Sequence, residues 1–213
     1  MSNTLESNLA ISSAVAVGAV TLTEANADTK IEREKKWLVN AASIPEAILN
    51  GVPRQEISQA YLRIDSDVEE RIRRVVEDGI TTYFFTRKEG KGEARKETEH
   101  TIKQAEFNIL SNSVVGNWIN KVRYKISTDD LIYELDVYTE KLQGLVVVEV
   151  EFKDETQSAT FTPPDWFGSE VTEDKRFKNQ QLALKGIPVD ETLLPPTLTQ
   201  AGSVFAARLR LEN

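Results

Sequence analysis

Charge recurs at every second position in one segment of this sequence after another. The series are Glu32, Glu34 and Lys36; Arg71 and Arg73; Arg95, Glu97 and Glu99; Lys121 and Arg123; Glu134 and Asp136; Glu149 and Glu151. Lys88 ends Thr82-Phe84-Thr86-Lys88 in the same rhythm. A β-strand sends alternate side chains to opposite faces, so each series lies on one face of its strand. The positions between are often apolar: Ile72, Val122, Leu135, Val137, Val148, Val150 and Phe152. Two arrangements fit. One is a sheet with a single solvated face. The other is a barrel whose charged positions point into a wet cavity, its apolar outer face covered by helices.

The residue types bear on the choice. Carboxylates come in i, i+2 pairs, and so do basic residues. A polyphosphate with a divalent ion needs both: carboxylates for the metal and Arg or Lys for the phosphate oxygens. Gathering so many charges is costly without a ligand or mutual pairing. The chain has no cysteine and one histidine, His100, which excludes disulfides, thiolate sites and His-rich zinc sites. Any metal ligands are therefore carboxylates, which favours Mg²⁺ or Mn²⁺. A net charge of −8 argues against a nucleic-acid binder.

Strands are expected at Ala60–Ile64, Glu70–Val76, Thr81–Lys88, Glu93–Ile102, Ile119–Ile126, Leu131–Tyr138 and Leu145–Phe152, with a hairpin turn at Gly90-Lys91-Gly92. Ser43-Ile44-Pro45-Glu46 reads as a capping box opening a short helix that ends near Gly51. Further helices are expected at Ala105–Leu110, Val114–Asn117, Asp154–Phe161 and Arg176–Leu184. This many short strands predicts a mainly β barrel or sandwich with a few covering helices. Residues 1–28 read as a flexible tail. A leader is the alternative, because Ala25-Asn26-Ala27 resembles a cleavage site, although Glu6 and the lack of early basic residues argue against it. Residues 29–187 form the expected domain and 188–213 an extended tail.

Glu32-Arg33-Glu34-Lys35-Lys36-Trp37-Leu38-Val39 resembles the E-x-E-x-K opening of the CYTH domain, the triphosphate tunnel metalloenzymes. Arg71-Ile72-Arg73, Thr86-Arg87-Lys88, Arg95-Lys96-Glu97-Thr98-Glu99, Lys121-Val122-Arg123, Glu134-Leu135-Asp136 and Glu149-Val150-Glu151 follow in that family's order. The stretch from Trp166 to Asn179 is similar to the closing motif of its short bacterial members, with Phe177 where tyrosine is usual. One such motif is weak; the ordered set is specific.

The resemblance implies a mainly β (α+β) fold: a closed eight-stranded antiparallel barrel, or tunnel, with helices outside. It implies hydrolysis of inorganic triphosphate with Mg²⁺ or Mn²⁺. Nucleotide or thiamine triphosphatases, class IV-type adenylate cyclases and a non-catalytic polyphosphate-binding module are the alternatives. By the same resemblance, Glu32, Glu34, Glu149 and Glu151 hold the metal, with Asp136, Glu97 and Glu99 as candidates for a second ion or its waters. Arg71, Arg73, Lys88, Arg95, Arg123 and Arg176 grip the triphosphate. Lys36 and Lys121 are the catalytic candidates, Lys36 neutralising charge near the scissile bond. Glu134 either faces the tunnel or pairs with a basic neighbour. Tyr61, Trp118 and Trp166 read as packing residues, and His100, of opposite parity to Glu97 and Glu99, points outward. The expected protein is a cytoplasmic monomer or homodimer acting on a small-molecule triphosphate, with no nucleic-acid or membrane partner.

Overall fold

The computed structural model describes residues 33–90, 96–128 and 130–189. The tail 1–28, Glu32, Arg95, the turn residues Lys91-Gly92, the start of the strand expected from Glu93, and 190–213 lie outside them.

Eight strands form one antiparallel sheet: β1 (Glu34–Leu38), β2 (Arg54–Ile64), β3 (Val68–Glu77), β4 (Ile80–Glu89), β5 (Lys96–Ile102), β6 (Val115–Ser127), β7 (Ile132–Tyr138) and β8 (Val146–Glu151). Their order is β1-β8-β7-β6-β2-β3-β4-β5. Hydrogen bonds do not close the sheet: β1 and β5 are its edges, and no pairing links them among the described residues. The outer edge of β1 is paired instead with the chain after Pro164. Leu38 N donates to Ser169 O at 2.9 Å, Gly168 N to Leu38 O at 2.8 Å and Val171 N to Lys36 O at 2.8 Å.

The period-2 pattern decides which way each face looks. On the outer face Trp37, Tyr124, Leu135, Val137, Val148, Val150 and Phe152 form one buried cluster, closed by Phe167, Phe161 and Trp166. A second patch of Ala60, Ile72, Tyr83, Phe85 and Trp118 lies under Phe107 of α1 (Gln104–Leu110). On the inner face, one end is filled by Leu38, Tyr61, Ile119, Tyr138, Leu145 and Val147, packed with Phe177 and with Leu182 and Ala183 of α3 (Asn179–Lys185). The rest of the inner face carries the charged series. The parity reading is met in part: the charged series share one face and the apolar positions pack on the other, in a mainly β sheet that hydrogen bonds do not close into a barrel.

Several local expectations are corrected. Val114–Asn117 is not helical: a 3-10 turn at Ser111–Ser113 leads straight into β6, and Gly116 has φ 77°, outside the helical range. Ser43 does not open a helix. It ends a 3-10 turn, Ala41–Ser43, capped by Asn40, whose side chain accepts from Ala42 N at 3.0 Å. Pro45 forces Ile44 to be extended (ψ 120°), so a second short turn, Glu46–Leu49, starts afresh. The helix expected over Arg176–Leu184 is split. Asp174 caps a 3-10 turn at Lys175–Phe177, Lys178 is extended, and α3 begins at Asn179. The helix at Asp154–Phe161 is α2 (Glu155–Thr160), with Asp154 capping it through Gln157 N at 2.8 Å. No helix among the described residues is long and apolar enough to cross a membrane.

Gly168 fixes how closely the closing segment can approach β1. A Cβ there would stand 2.5 Å from the backbone oxygen of Leu38, which cannot move aside as a side-chain tip can. Gly168→Ala is expected to cost about 1–3 kcal/mol, read as a lower midpoint in thermal or denaturant unfolding, because relief must separate two hydrogen-bonded segments.

Candidate active site

The deepest charges meet where β6, β7 and β8 lie side by side. Arg123 stands opposite Asp136, and Glu134 opposite Glu149. Asp136 is wholly buried. Its Oδ2 accepts from Lys121 Nζ at 2.5 Å, and Arg123 donates to both its oxygens at 2.7 Å. Arg123 also donates to Glu149 at 2.9 Å and to Glu134. From β1, Lys36, in register with Glu149, reaches its Oε1 at 2.7 Å. Glu34 and Glu151 face each other one step further out.

A second set lies on β3, β4 and β5. Arg73 donates to both oxygens of Glu99 at 2.9 Å. Thr86 Oγ1 donates to Glu99 at 2.6 Å, and Arg71 lies 3.7 Å from the same carboxylate. Lys88 pairs with Glu97 at 2.7 Å. The Nε atoms of Arg71 and Arg73 are buried and have no hydrogen-bond partner among the described residues. A guanidinium N–H withdrawn from water and unpaired is costly, and the deficit is met by an anion able to accept from it. Between the two sets, a cavity of about 480 Å³ opens beside Arg73 and Arg123, walled by Phe84, Val75 and Thr82 and rimmed by Glu77, Glu134 and Lys125.

Electrostatics separate the two lysines. Burial works against the Lys36 ammonium, but Glu149 and Glu34 outweigh it and hold its proton affinity above the ordinary value. Burial and the neighbouring Arg123 lower that of Lys121, despite Asp136 and Glu149. Arg123 is shifted up: burial opposes its charge, and Asp136 and Glu149 more than restore it. Burial alone would raise Glu149, yet Lys36, Arg123 and Lys121 pull it far below the usual carboxylate range.

The chain is similar in sequence to curated proteins. The chain is 42% identical over 155 residues to an inorganic triphosphatase of Nitrosomonas europaea, covering 72% of this chain and 97% of that protein. The chain belongs to the CYTH-type inorganic triphosphatase family. A second relative, an inorganic triphosphatase of Acetivibrio thermocellus, is 34% identical over 152 residues, covering 71% of this chain and 92% of its own length. Among solved structures, that of the inorganic triphosphatase NE1496 is 38% identical with a TM-score of 0.55, covering 72% of this chain and 94% of that one. No protein-family model matches the chain.

In this CYTH-type chain, most of the residues singled out in the sequence converge on the inner face. Lys36, Lys121, Arg123, Asp136 and Glu149 form one connected ion network, Arg71, Arg73 and Glu99 form a second, and Lys88 pairs with Glu97 on the same side. Glu134 does both things asked of it: it pairs with Arg123 and lines the cavity. Arg176 is not on the α-helix α3. It sits on the exposed turn after Asp174 and pairs with that residue at 2.6 Å. Tyr61 is buried in the plug, Trp118 and Trp166 pack on the outer face, and the His100 ring stacks against Phe85, away from Glu97 and Glu99.

Some inward residues were missed by the sequence reading: Glu69, Gln59, Glu77 and Lys125, together with Tyr138, whose hydroxyl donates to Asn179 Oδ1 at 2.7 Å. Extending the parity of Arg71-Arg73 backwards and forwards would have found Glu69 and Glu77.

Among the described residues no three acidic side chains already sit as a metal-holding group. The donor chemistry still fits a hard divalent ion. Glu34 and Glu151 stand directly opposite each other on β1 and β8, with Glu149 the next inward position on β8, so carboxylate oxygens of the kind such an ion takes lie on adjacent strands.

The Glu149 shift has a consequence for stability. A carboxyl depressed on folding contributes stability that is complete above its unfolded value, near 4.5, and drains away as pH falls toward the folded value. Denaturant unfolding between pH 6 and pH 3 should therefore show a falling midpoint below about pH 4.5, and Glu149→Gln should flatten that slope while lowering stability at pH 6.

Proposed function

We propose that this chain hydrolyses inorganic triphosphate to pyrophosphate and phosphate in a divalent-metal-dependent reaction on its inner face. The observation that carries the reading is the pair of buried Nε groups of Arg71 and Arg73, without a hydrogen-bond partner among the described residues, on a sheet face that also holds Arg123, Lys121 and Lys36. Planar guanidinium forks match phosphate oxygens bidentately. The names of the two curated relatives support the same substrate.

Each residue then has a physical task. Arg71, Arg73 and Arg123 bind and orient the phosphate chain, exchanging carboxylate partners for phosphate oxygens. Lys36 stays protonated beside Glu149 and offsets charge gathering on the reacting phosphate. Lys121, held by Asp136 at 2.5 Å, adds a second buried ammonium beside Arg123 and offsets charge gathering on the phosphate chain. Glu34 and Glu151, with Glu149 and Glu32, would hold Mg²⁺ or Mn²⁺. Such an ion, when bound, supplies charge stabilisation and a more acidic water. Catalysis is mostly positioning and electrostatics. In this reading the curved sheet becomes a tunnel with bound triphosphate at its centre, spanned by side chains from its two halves.

Phosphate release from tripolyphosphate, measured with Mg²⁺, with Mn²⁺ and with EDTA, tests the proposal. Turnover with metal and none with EDTA is expected; no release under any metal would sink it. Running ATP, GTP and thiamine triphosphate in the same series, and assaying for cyclic AMP, ranks the substrates.

Glu34→Ala is expected to lower kcat by at least about 10²-fold, the scale of several kcal/mol of lost charge stabilisation. Full activity in that variant would overturn the metal assignment.

A further inference from the structure

Along β3 the inward positions read Glu69, Arg71, Arg73, Val75, Glu77, a short basic lane closed by a carboxylate at each end. Arg71 and Arg73 are one side-chain repeat apart, about 6.5–7 Å along the strand. The two terminal carboxylates are unlike. Glu77 lies at the open end, lining the cavity and accepting from Gln55 at 2.9 Å. Glu69 lies at the plugged end. It stands in register with Ile64, which packs against the apolar plug, and it is 7% exposed. Across β4 it faces Lys88, and Lys88 in turn faces Glu97 on β5. The Glu69 charge is felt by Arg71 and Tyr61, and raises the proton affinity of both.

We propose that Glu69 is a specificity-determining residue that sets the length of the phosphate chain, ending the anion lane at Arg71. The inference rests on the triphosphatase reading above. A chain held by Arg73 and Arg71 stops short of Glu69. A fourth phosphate continuing along the lane meets a buried carboxylate, where little water is present to screen like charges. It must also compete with Glu69 for Lys88. At the other end, Glu77 borders open solvent, where repulsion is screened and a chain can turn away. Glu69 thus works by exclusion, and its loss widens the substrate range instead of removing activity.

The test compares kcat/KM for tripolyphosphate and tetrapolyphosphate, using the full chain with one metal ion, in the wild type, in Glu69→Gln and in Glu77→Gln. Glu69→Gln should raise the tetra-to-tri ratio at least about tenfold, the scale of removing one poorly screened like charge. Glu77→Gln should leave the ratio near the wild-type value. The ratio does not depend on how much folded enzyme a preparation contains, so a destabilised variant still gives an answer. Should Glu69→Gln yield no folded protein, Glu69→Ala is read the same way. A parallel fall on both substrates would make Glu69 a support for Arg71 and overturn the proposal, as would an unchanged ratio. Wild-type protein that hydrolyses neither substrate would sink the hydrolase reading and this inference with it. Hydrolysis with an unchanged ratio would sink this inference alone.

Discussion

Asp136 is the charge on which the site's arrangement depends. Among the described residues it is the one carboxylate of the site with no exposed surface, and it is shared by Lys121 and Arg123. A buried ion is tolerable only with partners of good geometry, and removing one partner leaves the other unpaired at a cost of about 3–5 kcal/mol. Asp136 therefore fixes two cations that would otherwise repel each other on one strand. Arg123, so fixed, reaches Glu149, and Glu149 reaches Lys36. The chain of contacts runs across β6, β7, β8 and β1.

The apolar side of the same strands makes this possible. Leu135, Val137, Val148 and Val150 alternate with Glu134, Asp136, Glu149 and Glu151, and their burial under Phe152, Phe161 and Phe167 pins the register. A slip of one residue would turn every charge into that aromatic cluster. The same strictness explains how an ion-lined face survives in a small domain: the outer face and the plug supply the hydrophobic free energy, and the inner face is left to chemistry.

Period-2 charge made much of this legible beforehand. The strand cores, the shared face of the charged series and the outward placement of His100 follow from parity, while Trp118 and Trp166 read only as packing residues. The misreadings fell where a local rule was outvoted. Ser43 and Glu46 have capping-box spacing, yet Pro45 between them forces an extended residue and two separate turns. Val114–Asn117 carries no strong turn signal, and Gly116 admits the positive φ from which β6 starts. Pairing of Arg176 with Asp174 is local, two residues apart, while its place in the family motif drew attention to the tunnel. Closure could not be read from parity, because alternation is identical in a curled open sheet and a ring.

The segment Gly168–Val171 bears on that last point. It occupies the outward backbone groups of Lys36 and Leu38, and Thr172 Oγ1 accepts from Lys36 N at 3.1 Å. An edge strand so engaged has few donors and acceptors left for another strand. β1 thus cannot zip to β5 without first surrendering the closing segment, and Trp37 with it. Among the described residues no ladder of backbone bonds spans the gap between β1 and β5, which is left to side chains.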